Sequence, residues 1–350
     1  MGLVIIGSGH YLPGRPYTND DLARVMDTSD EWVVQRTGIR QRHYCPEGAG
    51  ASDLAVVAAE RALELAGRTP ADVDYIIFNT MTPDYVFPGS GVLLGAKLGC
   101  ASVPALDLRQ QCAAQLYSLQ IADGLLSAGA AKCVLIAAAE AQAAFMPWSD
   151  WDILEGTTDR KPSPADWDRA TRHRGVAVIF GDGAGAFVVE RSKDEKQGII
   201  ALDLNSDGRY FDQLFMPIGF KSRPHLSHAV IDSEQYLPVM LGRDVFKHAV
   251  TKLPASITSA CKRANCTLDD IDWFIGHQAN ARINDAIRDR MKIDAAKVPG
   301  NIERVGNTST ATIPILMDEM IRDGRLQRGQ RICIFALGAG YHWGSLVFRY

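Results

Sequence analysis

The chain has 350 residues and a net charge of −4, with 47% apolar and 22% charged residues. That is enough for two similar halves around a shared core, and it leaves no disordered bulk. The acidic balance speaks against a general nucleic-acid binder, and the scattered cysteines (Cys45, Cys100, Cys112, Cys133, Cys261, Cys266, Cys333) show neither a C-x-x-C pair nor a zinc-ligand spacing, so neither a disulfide scaffold nor a metal site is expected.

In chain order, Leu3 to Ile6 reads as a strand reached without a basic leader, so no secretory signal is expected. Met1-Gly2 lacks the Ser/Thr of a myristoylation signal, because position 6 is Ile. Ala51 to Ala66 reads as a helix, Tyr75 to Asn79 as a strand, Ala113 to Ala128 as a helix and Cys133 to Ala137 as a strand. The most apolar region, Leu125 to Met146, is broken by Lys132 and Glu140, which rules against a membrane span and points to the cytoplasm. Residues 141–173 carry Trp148, Trp151 and Trp167 among many charges. They read as an excursion between two strands, either a surface elaboration or dimer contact, or a wall of a substrate tunnel. Strands follow at Val176 to Phe180, Ala186 to Val189, Trp273 to Ile275, Arg331 to Phe335 and Leu346 to Phe348, with helices at Asp244 to Ala264, Ala279 to Met291 and Thr310 to Asp323. Short β-branched runs alternating with Ala/Leu-rich helices make an α/β chain whose strands are buried on both faces.

An internal repeat organises these elements. Thr69-x-x-Asp72-Val73-Asp74-Tyr75 matches Thr267-x-x-Asp270-Ile271-Asp272-Trp273 at a shift of 198, and Val103-Pro104 matches Val298-Pro299 at a shift of 195. Carrying the second shift along sets Cys112 opposite Asn307 and Gly129 opposite Gly324. A duplicated unit brings the starts of two equivalent central helices together on a pseudo-two-fold axis, so Cys112 and Asn307 are expected in one pocket. The division falls at 1–195 and 196–350, with the 141–173 insertion in the first half.

Three polar signals carry the chemistry. Cys112 heads a helix-compatible run, where unpaired backbone N–H groups and the helix dipole favour a thiolate. His277 lies just beyond the strand-like Trp273 to Ile275, and Asn307 sits between Gly306 and a Thr/Ser run. Singly, each has a plain structural reading as a buried thiol, a hydrogen-bonded histidine and a turn residue. Together, a His and an Asn that both donate to one carbonyl oxygen would stabilise the enolate left when a malonyl thioester loses CO₂. A hydrolytic Cys-His site would instead want a base beside the thiol and an oriented water.

The chain resembles the β-ketoacyl-ACP synthase III family of thiolase-fold condensing enzymes over nearly its full length. The resemblance rests on Asp27-Thr28-Ser29-Asp30-Glu31-Trp32-Val33-Val34-Gln35-Arg36-Thr37-Gly38-Ile39-Arg40, Cys112, Phe180-Gly181-Asp182-Gly183-Ala184-Gly185-Ala186, His277-Gln278-Ala279-Asn280-x-Arg282-Ile283, Gly306-Asn307-Thr308-Ser309 and Gly338-Ala339-Gly340-Tyr341-His342-Trp343-Gly344. It implies duplicated βαβαβαββ halves in a five-layered αβαβα architecture, and a homodimer. It also implies decarboxylative condensation of an acyl group, carried from acyl-CoA onto Cys112, with malonyl-ACP or malonyl-CoA, and no permanently bound cofactor.

By the same resemblance, the backbone N–H groups of Cys112 and Ala339 form the oxyanion hole. His277 and Asn307 hold the malonyl thioester carbonyl. Trp32 and Arg174 sandwich the coenzyme A adenine, which fits a guanidinium and an indole stacking on a flat ring, and Arg36 approaches the phosphates. The Gly181 to Gly185 run reads as tight packing in the core and dimer interface. Arg282, Arg288, Arg290 and Lys292 form either a docking face for the acidic acyl carrier protein or a solvated basic face.

Where the family usually has Ala-Gly-Phe after the nucleophile, this chain has Ala113-Ala114-Gln115, and Leu337 and Ala339 replace an aromatic residue and a glycine. These changes and the insertion favour a longer or unusual acyl donor, or a specialised-metabolite branch. Asp107-Leu108-Arg109-Gln110-Gln111-Cys112 is similar to relatives that make alkylquinolone precursors or join two acyl chains. The alternatives are an acyltransferase or thioester hydrolase on the same fold, acting on an alcohol, amine or water, and a silent partner subunit.

Overall fold

The structure is a computed structural model that describes residues 2–194 and 196–350. The expected division at 195/196 touches Glu195, which lies outside the described residues, as does Met1 of the myristoylation reading. Nine strands form two large sheets: β1 (Leu3–Tyr11), β2 (Tyr75–Asn79), β3 (Ala105–Leu108), β4 (Cys133–Glu140), β5 (Gly183–Arg191), β6 (Gly198–Ser206), β7 (Trp273–Gly276), β8 (Arg331–Gly338) and β9 (His342–Arg349). The first sheet runs β1-β5-β4-β2-β3 and the second β6-β9-β8-β7. In both, two antiparallel pairings are followed by a parallel one, β4 with β2 and β8 with β7. Every residue of β4 is buried, as its uninterrupted apolar run requires of a central strand.

Five layers follow from what each sheet face must bury. Between the sheets lie α1 (Ala114–Ser127) and α2 (Thr312–Arg322), whose Leu116, Leu119, Ile313, Leu316 and Met320 share one core with Val134 and Ile136 of the first sheet and Ile332 and Ile334 of the second. The helix Ala51–Ala66 covers the outer face of the first sheet, while Gly242–Arg263 and Ala281–Met291 cover that of the second. Among the described residues, no helix is long and apolar enough to cross a membrane.

The repeat recurs in atomic detail. Asp72 Oδ2 accepts from the Thr69 amide at 2.7 Å, and Asp270 Oδ2 from the Thr267 amide at 2.8 Å. Asp74 Oδ1 accepts from the amide opening β4, and Asp272 Oδ2 from that opening β8. The structure corrects one equivalence. The 3₁₀ turn Gln111–Ala113 before α1 matches the 3₁₀ turn Ser309–Ala311 before α2, each opened by a non-glycine residue of positive φ, Gln111 at 51° and Ser309 at 49°. Cys112 is therefore equivalent to Thr310, and Asn307 lies three residues upstream of the matching position. The shift is 198 at the two turns and returns to 195 at Gly129 and Gly324, because α1 has 14 residues and α2 has 11.

Two further expectations change. Val176 to Phe180 is no strand: Arg174–Ala177 is helical, and Phe180 makes only an isolated bridge to Asn307. Its β-branched residues pack into a local cluster instead of a sheet. The short β3 and the long β6 carry no apolar alternation strong enough to announce them. The insertion buries Phe145, Met146, Trp148, Ile153 and Leu154 against Tyr17, Leu22, Met26 and Tyr44. The Gly-rich run is close packing, since a Cβ on Gly185 would lie 2.8 Å from Pro314 Cβ on α2.

Candidate active site

Cys112, His277 and Asn307 line one cavity of roughly 560 Å³. They are nearly enclosed, at 7%, 6% and 5% exposure, while Arg36, Arg243 and Arg282 line the same cavity where it opens to solvent. Phe180, Leu214, Met240, Phe246 and Leu337 supply apolar wall. A separate depression of about 720 Å³ in the 141–173 segment contains none of the three polar groups. No residue of 141–173 lines the reactive cavity; Gly175, Val178, Ile179 and Phe180, just after it, do.

Each polar group is fixed by its own element. Cys112 is the middle residue of the turn leading into α1. His277 continues β7, its N–H donating to the Phe335 carbonyl at 2.9 Å. Asn307 is clamped by main-chain bonds to Ile179 and Gly181 at 3.0 and 3.2 Å, and its carbonyl also accepts from Gln142 Nε2 at 3.0 Å. Gly306, at φ 71°, allows the sharp approach, since a Cβ there would lie 3.0 Å from Cβ of the fully buried Arg42.

Ser309 joins the three. Its Oγ is 3.4 Å from Cys112 Sγ, its N–H donates to Asn307 Oδ1 at 2.8 Å, and its carbonyl accepts from Thr312 Oγ1 at 3.0 Å. Thr312 Oγ1 in turn lies 2.7 Å from His277 Nδ1. With Oδ1 occupied, Asn307 is left with its amide N–H₂ as the free end.

The electrostatics depart from the simple helix-start expectation. Burial pushes the Cys112 thiol up to about 12, against a smaller lowering by Ser309 and with a further rise from Glu140. Desolvation outweighs the turn's dipole because the sulfur is enclosed. The same burial drives His277 down to about 3, so its imidazole is neutral at physiological pH.

At the mouth, Ser29 caps the helix Asp30–Thr37 by accepting from the Trp32 amide, and Arg36 one turn later lies 4.4 Å over the Trp32 ring. Arg174 stacks on the same ring at 4.7 Å and pairs with Asp27 at 3.0 Å. The two are in direct contact, so a base entering between them has to part them to about 7 Å, two ring-contact distances. Asn280 caps Ala281–Met291 and donates to the Arg36 carbonyl at 3.0 Å, tying the two halves at the rim. Beyond Arg282 the basic residues diverge: Arg288 pairs with Asp285 and Asp289, Arg290 donates to the Val250 carbonyl, and Lys292 is the exposed left-handed cap. A Cβ on Gly338 would sit 2.8 Å from the Cys112 amide nitrogen, so the chain running into Ala339 passes directly against the nucleophile turn. Ser309, Thr312, Glu140 and Arg243 were not singled out by sequence reasoning; of these only Ser309 carried a signal, as the last residue of the Gly306-Asn307-Thr308-Ser309 motif.

Two stacked sheets enclosing paired central helices, with a thiol at the start of one of them, define a thiolase-type fold. The model of the 3-oxoacyl-[acyl-carrier-protein] synthase III C-terminal region matches residues 261–350, and that of 3-oxoacyl-[acyl-carrier-protein] synthase III matches residues 106–208. A β-ketoacyl-[acyl-carrier-protein] synthase III of Caulobacter vibrioides is 39% identical over 353 aligned positions, covering 100% of both chains. The crystal structure of the 3-oxoacyl-[acyl-carrier-protein] synthase III of Aquifex aeolicus superposes with a TM-score of 0.84 at 35% identity, covering 100% of both chains. That of Pseudomonas aeruginosa gives a TM-score of 0.85 at 33% identity, covering 100% of this chain and 98% of the other. The chain belongs to the β-ketoacyl-[acyl-carrier-protein] synthase III family.

Proposed function

We propose that the chain catalyses a decarboxylative Claisen condensation in which an acyl group from acyl-CoA is carried on Cys112 and joined to a malonyl thioester. The observation that carries this reading is the convergence of Cys112, His277 and Asn307 on one enclosed cavity, linked through Ser309.

The Cys112 sulfur attacks the acyl-CoA carbonyl, the new carbon–sulfur bond replaces the coenzyme's, and the oxyanion of the tetrahedral intermediate faces the amides of Cys112 and Ala339. The malonyl thioester then enters with its carbonyl oxygen between His277 and the free amide of Asn307. A neutral ring serves this role with its one proton on Nε2, Nδ1 then accepting from the Thr312 hydroxyl, which turns to it from the Ser309 carbonyl. The carbon–carbon bond to the leaving CO₂ breaks, its electron pair forms the enolate, and the enolate carbon attacks the acyl-Cys112 thioester, expelling the thiolate. Trp32, Arg36 and Arg174 receive the coenzyme, and Arg243 and Arg282 add positive charge at the rim for phosphates and the acidic carrier protein.

The working unit is a homodimer. In support, Tyr85, Val86 and Phe87 are 62%, 69% and 80% exposed in the single chain, an apolar surface that a second copy would cover. The chain works in the cytoplasm, which agrees with the seven free thiols. Incubation with radiolabelled acyl-CoA tests the reading: the intact protein acquires label and Cys112→Ala does not, whereas label persisting in that variant overturns the assignment.

A further inference from the structure

Behind His277 a second cavity of about 30 Å³ adjoins the reactive one, and the reaction above gives it no task. Val245, His277, Ala279, Ile283 and Leu337 border both. Ala249, Leu253 and Phe335, all buried, close the smaller one, which has room for about one methyl group or one water.

The space originates in the sequence. Val245, Ala249 and Leu253 stand one turn apart along one face of the helix Gly242–Arg263, and the alanine leaves a gap between two larger neighbours. Phe335 and Leu337, alternate residues of β8, share the face of the second sheet that this helix covers and bound the gap from below. The polar groups in its walls are engaged elsewhere. Thr312 Oγ1 lies 2.7 Å from His277 Nδ1, and Asn284 Nδ2 donates to the His277 carbonyl at 3.3 Å. A buried water needs about two to four polar partners, so the space favours an alkyl group.

We propose that this space takes a small alkyl group on the α-carbon of the extender, so that the enzyme condenses a methyl-branched malonyl thioester as well as malonyl itself. The shape of the enolate sets the position of that group. Once CO₂ has left, the oxygen, the sulfur and both α-substituents lie in one plane, because the carbonyl carbon and the α-carbon share a double bond. The bond to CO₂ breaks perpendicular to that plane and the bond to the acyl carbon forms perpendicular to it, so neither uses an in-plane position. One in-plane position is beside the oxygen, about 3 Å from it, and that oxygen is the atom His277 holds. A methyl group there meets the imidazole and the space behind it, whereas Asn307, the other donor, does not border that space. The step balances as for malonyl. The carbon–carboxylate bond breaks, its electron pair becomes the enolate, the methyl-bearing carbon bonds to the acyl carbon, and Cys112 departs as thiolate and takes a proton from water. CO₂ and a 2-methyl-3-ketoacyl thioester are released.

The inference rests on the condensing reading, and the test separates the two. An acyl-CoA that labels Cys112 is supplied with malonyl or racemic methylmalonyl thioester, each presented on coenzyme A and on acyl carrier protein, and kcat/KM for product is measured by mass spectrometry. In the wild type the methyl-branched extender is expected to react within about tenfold of malonyl. Ala249→Val fills the space without touching the reactive cavity, so it lowers use of the branched extender about tenfold or more and that of malonyl less than about twofold. Ala249→Cys, a smaller addition, gives a smaller loss in the same direction. A wild type that condenses malonyl but uses the branched extender more than about a hundredfold less well overturns the proposal whether or not the variants fold. Equal loss of both extenders in the variants overturns it too, and marks the gap as a packing defect. In either case product from malonyl leaves the condensing reading standing, whereas absence of product from malonyl removes that reading and the subsite with it.

Discussion

Cys112 Sγ and Ser309 Oγ lie 3.4 Å apart although 197 residues separate them in the chain. Each belongs to the 3₁₀ turn that opens one of the two central helices, so duplication of the fold sets the two helix starts against each other. The active cavity is consequently built from both halves, and Ser309 holds the thiol, the amide and the imidazole in one frame.

That frame predicts separable steps. Asn307→Ala removes a donor to the developing enolate but not the nucleophile, so acyl labelling of Cys112 persists while β-ketoacyl product falls by about two orders of magnitude or more. Product assayed by mass spectrometry alongside label incorporation checks this, and full turnover in the variant would instead favour simple acyl transfer to an alcohol, amine or water.

Thr312 stands behind His277, with Oγ1 2.7 Å from Nδ1. Thr312→Val keeps the shape and deletes the hydroxyl, releasing the ring from the side-chain partner it has among the described residues. Condensation is expected to fall about tenfold, with Thr312→Ser close to wild type. Steady-state kcat for product, set against the rate of the labelling half-reaction, tests it, and an equal loss in Thr312→Ser would point to packing instead.

The buried imidazole makes acid destabilising. The folded value of His277, about 3, lies below its ordinary 6.5, so the unfolded chain binds the proton more readily between the two and stability falls as pH drops through that window. Glu140 and Asp182 act in the opposite sense: their folded values of about 7 and about 6 lie above 4.5 and 3.8, so their contribution is present in acid and lost as pH rises. Comparing urea unfolding of the wild type with His277→Gln isolates the imidazole. The wild type's relative stability should shrink by about 1 kcal/mol per pH unit below pH 6.5, and a constant difference would contradict a neutral buried ring.

The cavity rim should govern affinity more than rate. Trp32→Ala removes the stacking surface shared by Arg36 and Arg174 and is expected to raise KM for acyl-CoA about tenfold with little change in kcat. Arg243→Ala removes an exposed cation from the same rim, weakening the coenzyme at low salt more than at high salt. Kinetics at two ionic strengths distinguish this from a general loss of structure, which would lower kcat as well.

Much of this was written in the chain. The buried run of β4 and the periodicity of α1 and α2 needed only local pattern, and the Thr-x-x-Asp pair announced the repeat because its carboxylate caps a turn the same way in both halves. Cys112, His277 and Asn307 were legible as polar residues at the ends of apolar elements. Val176 to Phe180 misled because β-branched content does not reveal whether a partner strand exists, and here only Asn307 meets it.

The sequence by itself determined the α/β alternation, the Thr-x-x-Asp repeat and which polar residues stand at the ends of apolar elements, since these depend on spacing within single elements; the five layers came from it only through the family resemblance. Only the tertiary structure decided that the helix starts are matched at Cys112 and Thr310 and that Ser309 bridges the three groups. The same folding decided that enclosure raises the sulfur and lowers the imidazole. Contacts between residues far apart in the chain, and the loss of water around them, leave no periodic trace along it.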